Sequence, residues 1–186
     1  AAFNAAHAAA GRTGGYFEVA DAAALEPQLA QAQLGKSEFI FDVQGHFVNP
    51  TGAWLKTLPP GARPLSDFDK AKCGLAEGPD DLAYLRCLGA EEFVKDVFLD
   101  SDTDIMVLSF VPSTREGEPL TIEEAAANRA IVERMEGSKR LMLHARVNPN
   151  QPGDVEDMAR LKGFGITAFK TYTQWGPGGE GFWLTD

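Results

Sequence analysis

Four short runs of apolar residues stand out along the chain and predict four β-strands. Each run is bounded by glycine, proline or polar residues, as is expected of a buried strand. The second run is almost continuously apolar, which is typical of a strand that is covered on both faces. The predicted strands are Phe39–Val48, Ile105–Pro112, Leu141–Asn148 and Ile166–Thr173.

Apolar residues at helical spacing predict helices before and between these strands. Thr121 and Glu124 have the spacing of a capping box, in which each residue bonds the backbone N–H of the other. This box opens a predicted helix that runs to about Glu136 and stops at Gly137. The other predicted helices are Ala22–Leu34, which Pro27 interrupts near its start, Glu91–Asp100 and Asp154–Lys162.

The alternation of strands and helices predicts an α/β fold with a parallel sheet. Two architectures fit this order, an open doubly wound sheet and a closed TIM-like (β/α)₈ barrel. No Gly-x-Gly-x-x-Gly follows the first strand, so the usual dinucleotide-binding form of the open sheet lacks support. A full barrel needs about 250 residues, and about four βα units make half of one.

We therefore predict an N-terminal helical extension over 1–37 and the N-terminal half of a barrel over 38–186. A long segment rich in proline and glycine, Asn49–Gly89, follows the first strand. In a barrel this loop lies at the carboxyl-terminal face, where active sites are built.

Composition narrows the classes of partner. The chain of 186 residues carries 17 Lys and Arg against 27 Asp and Glu, a formal net charge of −10. Such an acidic balance opposes binding to a phosphate backbone, and no apolar run approaches the roughly 20 residues that span a bilayer. We expect a small-molecule substrate rather than nucleic acid or membrane.

Cys73 and Cys87 leave the location open. They would pair in an exported protein, after removal of a signal peptide, and would remain thiols in a reducing cytoplasm.

The end of the first predicted strand carries the residues best suited to chemistry. Alternation predicts that Asp42, Gln44 and His46 share one side of that strand and point into the barrel. A neutral imidazole at the carboxyl end of a strand can bind a divalent metal, although a single strand histidine is more often a hydrogen-bonded core residue.

Two further candidates lie inside later strands. Lys170 has either a catalytic role or a structural one in an ion pair, for which Asp42 is one partner. His144 is predicted to lie in the middle of the third strand as a hydrogen-bonded core histidine.

Four residues are candidates for binding substrate. Arg146 and Asn148, near the end of the third strand, and Arg115, after the second, could meet an anionic group. Arg146 could equally pair with an acidic neighbour. Trp175 could line a pocket for a cyclic substrate, or simply pack against the barrel.

Three stretches of the chain resemble one protein family. They are FIFDVQGHFVNP, DSDTDIMVLSFVPS and LMLHARVNPNQPGDVEDMARLKGFGITAFKTYTQWGP. The resemblance is to the N-terminal half of amidohydrolase-superfamily proteins, in the branch of the aminocarboxymuconate-semialdehyde decarboxylase-like metal-dependent hydrolases. It implies a (β/α)₈ barrel that binds a divalent metal ion, Zn²⁺, Mn²⁺ or Mg²⁺, and acts on a small carbonyl-containing substrate.

The chain departs from the family pattern at its first strand. The family has His-x-His there, with both side chains on the metal, whereas this chain has Gln44-Gly45-His46. The resemblance thus implies His46 as a ligand, with Gln44 as a weak ligand or an outer-shell group. Lys170 falls in the strand where some amidohydrolases carry a carboxylated lysine, and the remaining family ligands lie on later strands.

Two functions follow as expectations. The first is a metal-dependent hydrolase or non-oxidative decarboxylase of the amidohydrolase type. The second is a non-catalytic barrel that serves as a binding or structural subunit, which the loss of His-x-His favours. Because a half-barrel exposes two sheet edges, we expect either a homo-oligomer or a missing C-terminal half.

Overall fold

A computed structural model describes residues 26–34, 39–66, 73–74, 82–136 and 139–172. The chain divides into two units between Phe39 and Ile40. The first unit contains helix α1, Pro27–Leu34. Proline is favoured in the first helical turn because its missing N–H would be unbonded there anyway, so Pro27 begins this described helix. The earlier part of the predicted helix lies outside the described residues.

The second unit contains a parallel sheet of four strands in the order β1-β2-β3-β4, curled into a half-barrel. This parallel sheet confirms the predicted α/β fold and is consistent with a partial barrel. The strands are β1, Phe41–Gly45, β2, Ile105–Leu108, β3, Leu141–Arg146, and β4, Ala168–Lys170.

All four strands are shorter than their apolar runs suggest. After β1 the backbone bonds to other segments. The Val48 N–H donates to the Leu88 carbonyl at 2.8 Å, and the Asn49 N–H donates to the Pro119 carbonyl at 2.8 Å. The chain therefore leaves the sheet after Gly45, three residues before the predicted end of the first strand.

The described helices follow the predicted order, with one clear difference. Helix α2, Ala90–Val94, continues into a π-helical turn at Lys95–Leu99, and α3 covers Ile122–Glu136 as predicted. Helix α4 spans only Met158–Lys162, so the prediction of a helix from Asp154 is wrong. Turns precede α4 because the Asp154 carboxylate is bonded within a buried ion cluster, which is described below.

The helices cover one face of the sheet and enclose the main core there. Leu108, Leu143 and Ala125 are essentially inaccessible to solvent in this core. The residues that come next along each strand therefore face the opposite, concave side of the half-barrel.

The segment after β1 builds a small core of its own. Val48, Trp54, Tyr84 and Leu85 are buried together, beside two 3₁₀ helices at Ala53–Thr57 and Ala83–Leu88. Cys73 and Cys87 form a disulfide, with their Cα atoms 5.5 Å apart. The described part of this predicted loop is thus a packed structure.

The predicted capping box is present and carries a tertiary contact as well. The Glu124 N–H donates to Thr121 Oγ1 at 3.2 Å, and the Thr121 N–H donates to Glu124 Oε2 at 2.9 Å. Glu124 Oε1 also accepts a hydrogen bond from Asn49 Nδ2. The start of α3 is therefore tied to the segment that follows β1.

We expect Thr121→Ala to lower the free energy of unfolding by about 1 kcal/mol, the usual cost of losing an N-terminal cap. Thr121→Ser keeps a hydroxyl at the same position and should remain close to wild type. Urea denaturation measures both, and equal losses in the two variants would show that the cap does not stabilise α3.

Candidate functional site

Three polar residues form a row across the concave face. Gly45, Leu108 and Leu143 occupy one level of the parallel register, and Leu108 and Leu143 face the helix-covered core. His46, Ser109 and His144, one residue further along, therefore lie side by side at the carboxyl ends of β1 and β2 and within β3. We call these three residues the concave row.

Ser109 contacts both histidines of the concave row. His46 Nδ1 lies 2.7 Å from the Ser109 carbonyl oxygen. Because a carbonyl can only accept, Nδ1 must donate, and the neutral ring then carries its lone pair on Nε2. On the other side of Ser109, the hydroxyl Oγ lies 3.5 Å from His144 Nδ1.

Lys170 lies in the next row, opposite Arg146 in the register of β3 and β4. Its Nζ is 5.2 Å from the centre of the Tyr172 ring. The protein around the two rings removes part of their hydration, which lowers the pKa of His46 and of His144, and the positive charge of Lys170 lowers both further. The hydrogen bond to Ser109 and the charge of Asp42 oppose this for His46. Both imidazoles thus favour the neutral form.

Two expectations for these residues need correction. The register slips between Asp42 and Gly45, and Asp42 Oδ1 accepts the Gln44 N–H at 2.9 Å, so simple alternation does not place Asp42, Gln44 and His46 on one side. His144 has the expected hydrogen-bonding contact, to the Ser109 hydroxyl, but it is half-buried on the concave side, because its strand neighbours Leu143 and Ala145 fill the main core instead.

A buried ion cluster holds the carboxyl end of β3. Arg146 donates from Nη1 to Asp154 Oδ2 at 2.6 Å and from Nε to Glu118 Oε1 at 3.1 Å. Asp154 is only 2 % exposed and also accepts the Asn148 N–H at 2.9 Å. Burial raises the pKa of Glu118, and the positive charge of Arg146 opposes that rise.

The cluster extends outward through two more arginines. Arg115 donates from Nη1 to Asp154 at 3.1 Å and from Nη2 to Asp157 at 2.8 Å. Arg160 donates to both oxygens of Asp157, each at 2.7 Å. These hydrogen bonds from Arg160 lower the pKa of Asp157. The cluster therefore joins the segments after β2 and β3 to α4.

The four predicted substrate-binding residues have different surroundings. Arg146 pairs with acidic neighbours, which is the alternative that the sequence left open, and Arg115 does the same. Asn148 accepts the Tyr172 N–H at 3.0 Å, and its amide group lies 3.5 Å from the Ser113 carbonyl oxygen. Trp175 lies outside the described residues. Substrate binding by these residues stays a prediction.

Sequence reasoning missed the grouping of His144 with His46. The signal that could have found it is the alternation in β3, where Leu141, Leu143 and Ala145 are apolar and His144 falls between them. Among the described residues no group of three His, Cys, Asp or Glu side chains is arranged to hold a metal ion. In the same part of the chain, no helix has both the length and the apolar character needed to cross a membrane.

We expect the pKa of His46 and of His144 to lie below 6.5 and to rise in Lys170→Met, because that change removes a positive charge that disfavours protonation. Titration of the imidazole resonances by NMR measures this. Lys162→Met, at an exposed position on α4, is the matched control and should leave both values unchanged. Equal effects of the two variants would show that Lys170 does not act on the concave row.

We expect Asp154→Ala to lower the free energy of unfolding by about 3–5 kcal/mol, because Arg146 would keep a buried charge that has lost a main partner. Asp96 is 66 % exposed beside Lys95, so Asp96→Ala should cost less than about 0.5 kcal/mol. Urea denaturation compares the two. Similar losses would mean that the ion cluster does not hold the end of β3.

Comparison with known proteins leaves the site to be interpreted from its own chemistry. No family model matches the chain, and no curated protein or solved structure is significantly similar to it.

Proposed function

We propose that this chain is part of a metal-dependent hydrolase, or non-oxidative decarboxylase, of the amidohydrolase type, built on a TIM-like (β/α)₈ barrel. Four parallel strands in sequential order, with helices on the outer face, support the barrel. The concave row, at the carboxyl ends of the first strands, lies where barrel enzymes carry their active sites.

The observation that carries this proposal is the hydrogen bond from His46 Nδ1 to the Ser109 carbonyl. Histidines that bind metals almost always donate their second ring N–H to a carbonyl, a carboxylate or water. The bond fixes the ring orientation and leaves the Nε2 lone pair for a ligand. His46 is also exposed, so a ligand can reach it.

The fit to a divalent metal is partial. His46 offers a nitrogen donor, and Gln44 is a weak or outer-shell oxygen donor, but the described residues contain no complete set of ligands. We propose that donors outside the described residues complete the set around Zn²⁺, Mn²⁺ or Mg²⁺. A bound metal ion polarises a substrate carbonyl or activates water.

Lys170 has the charge to assist a carbonyl reaction. Its ammonium group acts on both histidines of the concave row through its field, so it would also stabilise negative charge that develops on a substrate oxygen there. The Tyr172 ring beside Lys170 suits a small cyclic or aromatic carbonyl compound. We therefore propose Lys170 as a catalytic residue and such a compound as the substrate.

The proposal also includes further strands that complete the barrel, from a second copy of the chain or from a C-terminal half. Phe41 and Val43 on β1 are 48 % and 59 % exposed. Apolar side chains on an edge strand favour pairing with more strands. Such strands would carry further donors to the concave face.

A non-catalytic barrel is the second candidate. Gln44 at the position of a family histidine favours it, because an amide oxygen is a neutral donor and does not replace imidazole for metals such as Zn²⁺. In that case the protein binds a small molecule on the concave face without converting it.

We expect His46→Ala to remove tightly bound metal and to lower kcat/KM by at least about 100-fold, since loss of a ligand exceeds the effect of losing an outer-shell partner. Metal analysis and turnover of lactams, esters and aromatic carboxylates by the full protein measure this. His7→Ala is the control and should behave as wild type.

Full metal content and turnover in His46→Ala would overturn the assignment of this residue. A wild-type protein that binds the same compounds without converting them would favour the non-catalytic barrel.

A further inference from the structure

Two of the three histidines in the chain lie in the same concave row. The parallel register sets their level, because Gly45 pairs with Leu108 and Leu108 pairs with Leu143. His46 is the residue after Gly45, and His144 is the residue after Leu143. They are thus separated only by the β2 residue Ser109.

The spacing of two strands favours a shared ligand. Inward side chains from alternate strands of a (β/α)₈ barrel fill a common layer, and β1 and β3 are alternate strands. Adjacent strands lie about 4.8 Å apart, so two long imidazole side chains can reach one ion across the intervening strand. Ser109, the residue between them, carries the smallest hydroxyl side chain.

Ser109 also orients the two rings alike. His46 Nδ1 is 2.7 Å from its carbonyl oxygen, and His144 Nδ1 is 3.5 Å from its hydroxyl. For His46 the bond to a carbonyl fixes Nδ1 as the donor, and for His144 Nδ1 is likewise the ring nitrogen nearer Ser109, so we assign Nε2 of each ring as the metal donor. Outer-shell bonds of this kind hold the ligating histidines of metal sites.

We propose that His46 and His144 together form a two-imidazole site for a transition-metal ion, with both Nε2 atoms as donors. The proposal shares His46 with the proposed function, and it adds a ligand from the third strand that compensates for Gln44. Two imidazoles select Cu²⁺, Ni²⁺ or Zn²⁺ over Mg²⁺, which prefers oxygen donors.

The charged residues around this site affect how tightly it can bind a cation. Lys170 repels a cation at this position, while Asp42 attracts one. An ion that binds here must therefore gain its affinity from nitrogen coordination rather than from net charge. Such a site again favours Cu²⁺, Ni²⁺ or Zn²⁺ over ions that prefer oxygen ligands, such as Mg²⁺.

Copper bound to the 186-residue chain with His7→Ala tests the site directly, because His46 and His144 are then the only imidazoles in these 186 residues. Pulsed electron paramagnetic resonance counts the imidazole nitrogens on Cu²⁺ without any enzyme assay. We expect two imidazoles in this background and one after a further His144→Ala or His46→Ala change. Each of these changes should weaken Cu²⁺ binding at least about tenfold. Losing an outer-shell partner already lowers metal affinity by about 10- to 100-fold, and loss of a ligand should cost no less.

The outcomes separate this inference from the proposed function. One imidazole in the His7→Ala protein, lost in His46→Ala but kept in His144→Ala, would overturn the two-imidazole site and leave His46 as a metal ligand. No imidazole on the bound copper would overturn both assignments. The count in the His7→Ala protein decides the matter even if a variant at residue 144 fails to fold.

Discussion

The buried carboxylate of Asp154 is the contact on which the carboxyl-terminal edge of the half-barrel depends. It accepts hydrogen bonds from Arg146, from Arg115 and from the backbone of Asn148. A buried charge is tolerated only when its partners compensate the loss of water, so these segments must keep their relative positions. The end of β3, the segment after β2 and the approach to α4 are therefore fixed together.

This fixed edge supports the concave row beside it. Asn148 follows β3 and bonds the backbone of Tyr172 after β4, and Tyr172 donates its hydroxyl to the Phe110 carbonyl after β2. Side-chain bonds thus hold the backbone just after Ser109, at Phe110, and shortly after His144, at Asn148. A pair of imidazoles needs such support, because a site that is loose by about 1 Å loses most of its function.

The cluster also changes which residues are free to meet a ligand. Arginine at the end of a barrel strand favours an anion site from sequence alone, yet Arg146 and Arg115 have acidic partners within the protein. Lys170 lies opposite Arg146, and its Nζ is near the Tyr172 ring. Its positive charge lowers the pKa of both histidines of the concave row.

Much of the fold could be predicted from local patterns. The capping box of Thr121 and Glu124 formed as expected, and the alternation of apolar runs led to the parallel sheet. The predictions that were wrong concern residues whose partners are distant in the sequence. Asp154 lies where helical periodicity is good, but its partner Arg115 is 39 residues away. The slip between Asp42 and Gly45 depends on the match between two strands.

The sequence by itself determined the type and order of the elements, the caps and the presence of polar residues at strand ends, because these depend on neighbours within a few positions. Only the tertiary structure decided that His144 and His46 both contact Ser109 and that Asp154 lies in a buried ion cluster before α4 rather than in the helix. Register, burial and charge compensation join residues that are distant in the chain, and no local pattern records them.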